Sequence, residues 1–139
     1  MRQNQNIFTS ILAGAVLLSL GGCEDYKPVK GEYPTTGEAA WYVVKLAATG
    51  KRHNNYGLTC AMRKNDYGKY YRVCNTENGK CVVVRHNDFG PGIRLYNQGR
   101  IIDLSKMAFS RIADLKKGVI PVTIEEIDSK KGAVPKKGF

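Results

Sequence analysis

Three residues in the stretch Val82–Ser105, VVVRHNDFGPGIRLYNQGRIIDLS, have the types and spacing for acid–base chemistry. Asp88 ends a β-branched run and enters the turn Phe89-Gly90-Pro91-Gly92, and Asp103 ends a second apolar run just before Ser105. Two acids at the ends of two short strands suggest a paired-carboxylate site, held by rigid strands while the glycines keep the backbone clear of a ligand. His86 stands two residues before Asp88 and so shares its strand face. It is expected as an exposed side chain without catalytic duty. Both acids have a plainer reading as well. An Asn-Asp pair at a turn often caps backbone amides with its carboxylate, and a strand-end Asp103 before a helix start suits a supporting role.

The elements that must position these residues are legible from pattern. Lys69–Asn87 reads as a hairpin, KYYRVCN, TENG, KCVVVRHN, with Asn78-Gly79 as the turn signal. Ala39–Leu46 has the β-branched and aromatic content of a first strand, and Tyr56–Met62, Arg100–Leu104 and Ile120–Ile127 read as further strands. Ser105 is a good N-cap, and Ala108, Ile112 and Leu115 fall on one face, which predicts a single helix over Lys106–Leu115 stopped by Gly118. About six short strands and one short helix make this a mostly β fold and a small closed barrel.

The chain has 139 residues and a formal net charge of +10. That length accommodates one domain and no second. Arg2 is the single base before Cys23, so from Cys23 onward 21 bases face 12 acids. The excess suits an anionic partner, whether nucleic acid, an acidic membrane face or a wall polymer, or else a solvated basic surface. No nucleic-acid recognition motif accompanies it. The two histidines lack ligand-spaced partners, so neither a metal nor another cofactor is expected.

The apolar run Ile7–Leu20 is too short for an ordinary membrane span and reads as a secretory signal over residues 1–22. Leu20-Gly21-Gly22-Cys23 looks like a bacterial lipobox, which places a lipid on Cys23 and ties the chain to a membrane; simple signal cleavage with a free Cys23 is the alternative. Residues 23–37 then form a lipidated cysteine and flexible tether, 38–128 the domain, and 129–139 a basic disordered tail. Export permits disulfides. With Thr76–Gly79 as a four-residue loop, Cys74 falls opposite Cys81, and directly opposed antiparallel residues lie about 4.5–5.5 Å apart at Cα. A Cys74–Cys81 bond is expected with Cys60 a buried free thiol, a Cys60 pairing being the alternative.

The segments GKCVVVRHNDFGP, GRIIDLSKMAF and GVIPVTIEEI, preceded by AAWYVVKLAATGKRHNNYGLTCAMRK and KYYRVCN, resemble the rare-lipoprotein-A family over Ala39–Ile127. The resemblance implies a six-stranded double-psi β-barrel and a lytic transglycosylase of peptidoglycan. Such an enzyme cuts after N-acetylmuramic acid and leaves 1,6-anhydro ends, using one carboxylic acid in both acid and base roles. The family's catalytic aspartate falls on Asp88, and its barrel motif includes Asp103. Where the family usually carries a glutamate and a histidine, this chain has Lys51 and Met62. His53 or His86 is a candidate to compensate. Gly90 and Gly92 let the chain turn beside a glycan, and Arg85, Arg94 and Arg100 suit carboxylates of the wall. Implied partners are peptidoglycan glycan strands, a membrane through Cys23 and, in a recruiting role, division or wall-synthesis proteins; Glu24 after the lipidated cysteine permits an outer membrane. The competing reading is a wall-binding barrel that does not cut, as in expansin-type relatives.

Overall fold

Alternating apolar residues build the barrel in the computed structural model, which describes residues 28, 31–43, 48, 50 and 57–128. Cys23, Lys51, His53 and the tail 129–139 lie outside the described residues. The strands are β1 (Thr36–Tyr42), β2 (Thr59–Ala61), β3 (Tyr70–Asn75), β4 (Cys81–Asp88), β5 (Arg100–Ser105) and β6 (Val119–Ile127). They close in the order β1-β5-β2-β4-β3-β6. The pairs β1/β5 and β2/β4 are parallel and the remaining four antiparallel.

Strand periodicity decides what faces inward. In β4 the buried residues are Val82, Val84, His86 and Asp88, and in β6 they are Ile120, Val122 and Ile124. These meet Val73, Ile102, Leu104, Phe109 and Ile112, all fully buried. Full burial of such a side chain contributes roughly 1.5–3 kcal/mol, so the core that closes the barrel also fixes the inward end of β4. The β1/β5 contact is tight enough to require Gly37. A Cβ there would lie 2.8 Å from both the Gly99 carbonyl and the Ile101 side chain.

The structure departs from the sequence expectations in several places. β1 begins at Thr36, not Ala39, and Tyr33 packs against the core, its hydroxyl donating to the Ile101 carbonyl at 2.5 Å. Residues 33–37 thus belong to the barrel and not to a tether. A second helix, α1 (Ile93–Asn97), follows the turn; at five residues it is too short to show periodicity. The expected helix, α2 (Lys106–Ile112), is capped by the Ser105 hydroxyl, which accepts from the Ala108 amide at 3.2 Å. It stops three residues early because Ala113 is extended, and Leu115 sits in a separate 3-10 turn, Leu115–Lys117. The β3–β4 hairpin joins Cys74 to Cys81 in a disulfide, while Cys60 is a buried free thiol.

Candidate active site

Asp88 is the last residue of β4, and three donors meet its carboxylate. The Ala48 amide reaches Oδ1 at 2.6 Å, the Phe89 amide reaches the same oxygen at 2.9 Å, and the Tyr42 hydroxyl donates to Oδ2 at 3.1 Å. The residue is 8% exposed. The carboxylate does cap backbone amides, then, and also takes a phenol from the end of β1. Burial, reinforced by the charge of Asp88, pushes the Tyr42 hydroxyl far above the ordinary phenol range, so it stays a donor at any working pH.

Asp103 lies across β2 from Asp88. Ala61 is the register partner of Asp88 on one side and of Asp103 on the other. Burial pushes the Asp103 carboxyl from 3.8 up to about 6; the nearby Arg100 charge opposes this and the Asp88 charge adds to it. Its Oδ1 is buried without a hydrogen bond, as is Nε of Arg100. Asp103 is thus the carboxyl that keeps its proton in mildly acidic solution.

His86 is fully buried, contrary to the expectation of an exposed histidine. A strand position two before Asp88 puts it on the inward face, where an acid from outside the strand meets it. Nδ1 lies 2.6 Å from Asp66 Oδ1, and Nε2 lies 2.8 Å from the Asp88 carbonyl and 3.3 Å from the Met62 carbonyl. Tyr71 donates to the second Asp66 oxygen, and Lys64 Nζ donates to Tyr71 at 2.7 Å while sitting 3.0 Å from Asp66. Burial works against the Asp66 charge, but the hydrogen bonds from Tyr71, Lys64 and His86 outweigh it and hold the carboxyl below its usual range.

The turn after Asp88 rests on Arg63, 1% exposed, whose Nη1 donates to the Pro91 carbonyl at 3.1 Å and whose guanidinium lies 5.0 Å from the Phe89 ring centre. Gly90 has φ +150°, a backbone that a residue with a Cβ rarely adopts. Of the other candidates, Arg100 acts on Asp103 by charge, and Arg85 occupies the face of β4 opposite Asp88. Met62 is fully buried, its amide donating to the Asp88 carbonyl at 3.2 Å. Lys51 lies outside the described residues.

Tyr42, Ala48, Arg63 and Asp66 are site residues that sequence reasoning missed. Tyr42 and Ala48 reach Asp88 from 46 and 40 residues away, a closure that only the barrel order supplies. Asp66 carries a weak signal, as an acid in the turn before the hairpin whose second strand bears a histidine. Arg63 carries none.

Comparison with known proteins adds a consistent set of likenesses. The lytic transglycolase family, a double-psi β-barrel family, matches residues 34–124. The endolytic peptidoglycan transglycosylase RlpA of Vibrio cholerae is 36% identical over 132 residues, covering 85% of this chain and 48% of that protein. The probable endolytic peptidoglycan transglycosylase RlpA of a Nostoc species is 42% identical over 89 residues, 64% of this chain and 23% of that protein. The chain thus spans about half the length, or less, of these curated relatives. Among solved structures, a Streptomyces papain inhibitor aligns at TM-score 0.52 and 25% identity, covering 67% of this chain and 98% of the inhibitor. The apo expansin of Clavibacter michiganensis aligns at TM-score 0.53 and 20% identity over 68% of this chain and half of the expansin, a likeness of fold.

Proposed function

Because the chain belongs to the lytic transglycolase family of double-psi β-barrels, we propose that it is an exported endolytic peptidoglycan transglycosylase with Asp88 as its single acid and base. Protonated Asp88 gives its proton to the bridging oxygen after N-acetylmuramic acid as the C1–O bond breaks. The resulting carboxylate takes the proton of the same sugar's 6-hydroxyl while O6 bonds to C1. The aspartic acid is restored, no water is consumed, and a 1,6-anhydro end is left. One residue in both roles needs no second carboxylate at a set separation, unlike hydrolysis.

The observation that carries this reading is the placement of Asp88, fixed by three donors at the end of β4 with Asp103 on the far side of Ala61. Tyr67, 40% exposed beside the Asp88 charge, is an available stacking face for a sugar. The names of the relatives support peptidoglycan as substrate and the envelope as location. We assign the lipid anchor to Cys23 on the lipobox.

A second reading, a barrel that binds wall glycan without cutting it, is favoured by one observation. Both oxygens of Asp88 are already engaged by the protein's own donors. Incubating the chain with peptide-free glycan strands and analysing the products by mass spectrometry decides between them. Appearance of 1,6-anhydro ends, abolished in Asp88→Asn, supports cutting; retention of glycan with no such ends supports binding alone.

A further inference from the structure

We propose that Asp66 and His86 form a buried positioning pair that holds the end of β4, and with it the Asp88 carboxylate, through the Asp88 carbonyl. The catalytic consequence rests on the function proposed above; the geometry does not. Nε2 of His86 faces two carbonyl oxygens, of Asp88 at 2.8 Å and Met62 at 3.3 Å. Carbonyls only accept, so Nε2 carries a proton. Nδ1 faces Asp66 Oδ1 at 2.6 Å, and the other oxygen of Asp66 already receives the Tyr71 hydroxyl with Lys64 beside it. Asp66 is therefore the acceptor and Nδ1 carries the second proton. His86 is an imidazolium with no solvent exposure, and Asp66 is its counter-charge.

The pair fixes its surroundings from several sides. The Asp88 carbonyl receives both Nε2 of His86 and the Met62 amide, so the last peptide of β4 is tied to its own strand and to the end of β2. Charge-assisted hydrogen bonds of this kind are about twice as strong as neutral ones. The Tyr67 ring lies 4.9 Å from the imidazole at 37°, and Tyr71 meets it edge-on at 6.4 Å. Cys60 is its register partner on β2. The titratable groups around His86 are thus Asp66, Tyr67, Tyr71, Cys60 and Asp88, with Lys64 reaching it through Asp66. Removing either partner of the pair releases the Asp88 carbonyl from Nε2. The carboxylate one Cα away then loses its fixed orientation.

Two measurements on the full chain test this. Nitrogen-15 NMR of the imidazole at neutral pH is expected to show both ring nitrogens of His86 protonated, and one in Asp66→Asn; a single proton in the parent chain overturns the proposal. Amide exchange at Ala48 and Phe89, whose N–H groups bond the Asp88 carboxylate, is expected to quicken at least about tenfold in Asp66→Asn and His86→Gln, with Val73 and Ile102 unchanged. Unchanged protection at Ala48 and Phe89 overturns it, as does a loss spread evenly over the barrel. For anhydro-end formation, each variant should lower kcat about tenfold with KM within twofold, and the double variant should fall no further. Full kcat per folded molecule in either variant overturns the positioning role. If the parent chain makes no anhydro ends while the two amides still lose protection in the variants, the function proposed above fails and the pair stands.

Discussion

Asp88 and Asp103 pair with opposite sides of the same residue, Ala61, so the two acids sit on strands separated by β2 alone. Burial with the neighbouring Asp88 charge raises the Asp103 carboxyl from 3.8 to about 6, against the opposing charge of Arg100. Folded protein therefore binds a proton that unfolded chain has released between those values. The stability this group contributes is complete below about pH 4 and is lost as pH rises through 6, an effect on the order of 3 kcal/mol. Asp103→Asn should flatten the pH dependence of urea unfolding between pH 4 and 7 and raise stability at pH 7.5. An Asp103→Asn curve parallel to that of the parent would remove Asp103 as its source.

Asp88 has a structural duty that separates two of its substitutions. Asp88→Asn keeps an acceptor for the Ala48 and Phe89 amides but cannot release a proton as a carboxylic acid does; Asp88→Ala removes both functions. Asn should abolish product with stability within about 1 kcal/mol of the parent. Ala should abolish product and cost a further 1–3 kcal/mol or so, because partly buried amides lose their acceptor. Equal stability of the two variants in denaturant titration would show that the amides find other partners.

How much of this was legible in the sequence depends on the distance over which each contact acts. Periodicity placed His86 and Asp88 on one face of β4, and Ser105 announced its helix, because alternation and capping are local rules. The burial of His86 was misjudged from its residue type, not from that alternation. An isolated histidine next to a turn reads as solvent-facing, and only closure against the 62–66 segment supplies the Asp66 that makes its burial tolerable. Tyr42 was visible as a strand aromatic, yet its role as a donor to Asp88 arises where the end of β1 meets the end of β4, and no local pattern encodes that. α1 escaped because five residues after a Gly-Pro-Gly turn hold too little period to read.

The hairpin that delivers Asp88 is fastened at its far end by Cys74–Cys81, a link with sequence separation 7. Closing so short a loop removes little freedom from the unfolded chain, about 2 kcal/mol by the loop-entropy relation. The hairpin also keeps its own bonds, with the Asn75 amide donating to the Lys80 carbonyl at 2.8 Å and the Asn75 side chain donating to the Ile112 carbonyl at 2.9 Å. Replacing both cysteines with serine should therefore lower stability by about 2 kcal/mol in denaturant without unfolding the chain or changing the product profile. Loss of folding would mean that the disulfide carries more than loop closure.

Arg63 should be the least replaceable residue outside the acids, and Arg63→Lys tests it more sharply than Arg63→Ala. The guanidinium does two things that depend on its being planar: it lies over the Phe89 ring at 5.0 Å while Nη1 donates to the Pro91 carbonyl at 3.1 Å. An ammonium retains the charge but is more strongly hydrated and lacks the flat face, so the substitution is not conservative at a stacked, buried position. A hydrogen bond from a charged group contributes roughly 1.5–3 kcal/mol, and the loss falls on the turn Phe89–Gly92 that follows Asp88 directly. Arg63→Lys is therefore expected to cost about 2 kcal/mol in urea unfolding and to lower kcat for anhydro-end formation about tenfold as the Phe89 amide drifts from the Asp88 carboxylate. If the lysine variant kept both stability and turnover, the turn would be held by its own backbone, and Arg63 would be buried for packing alone.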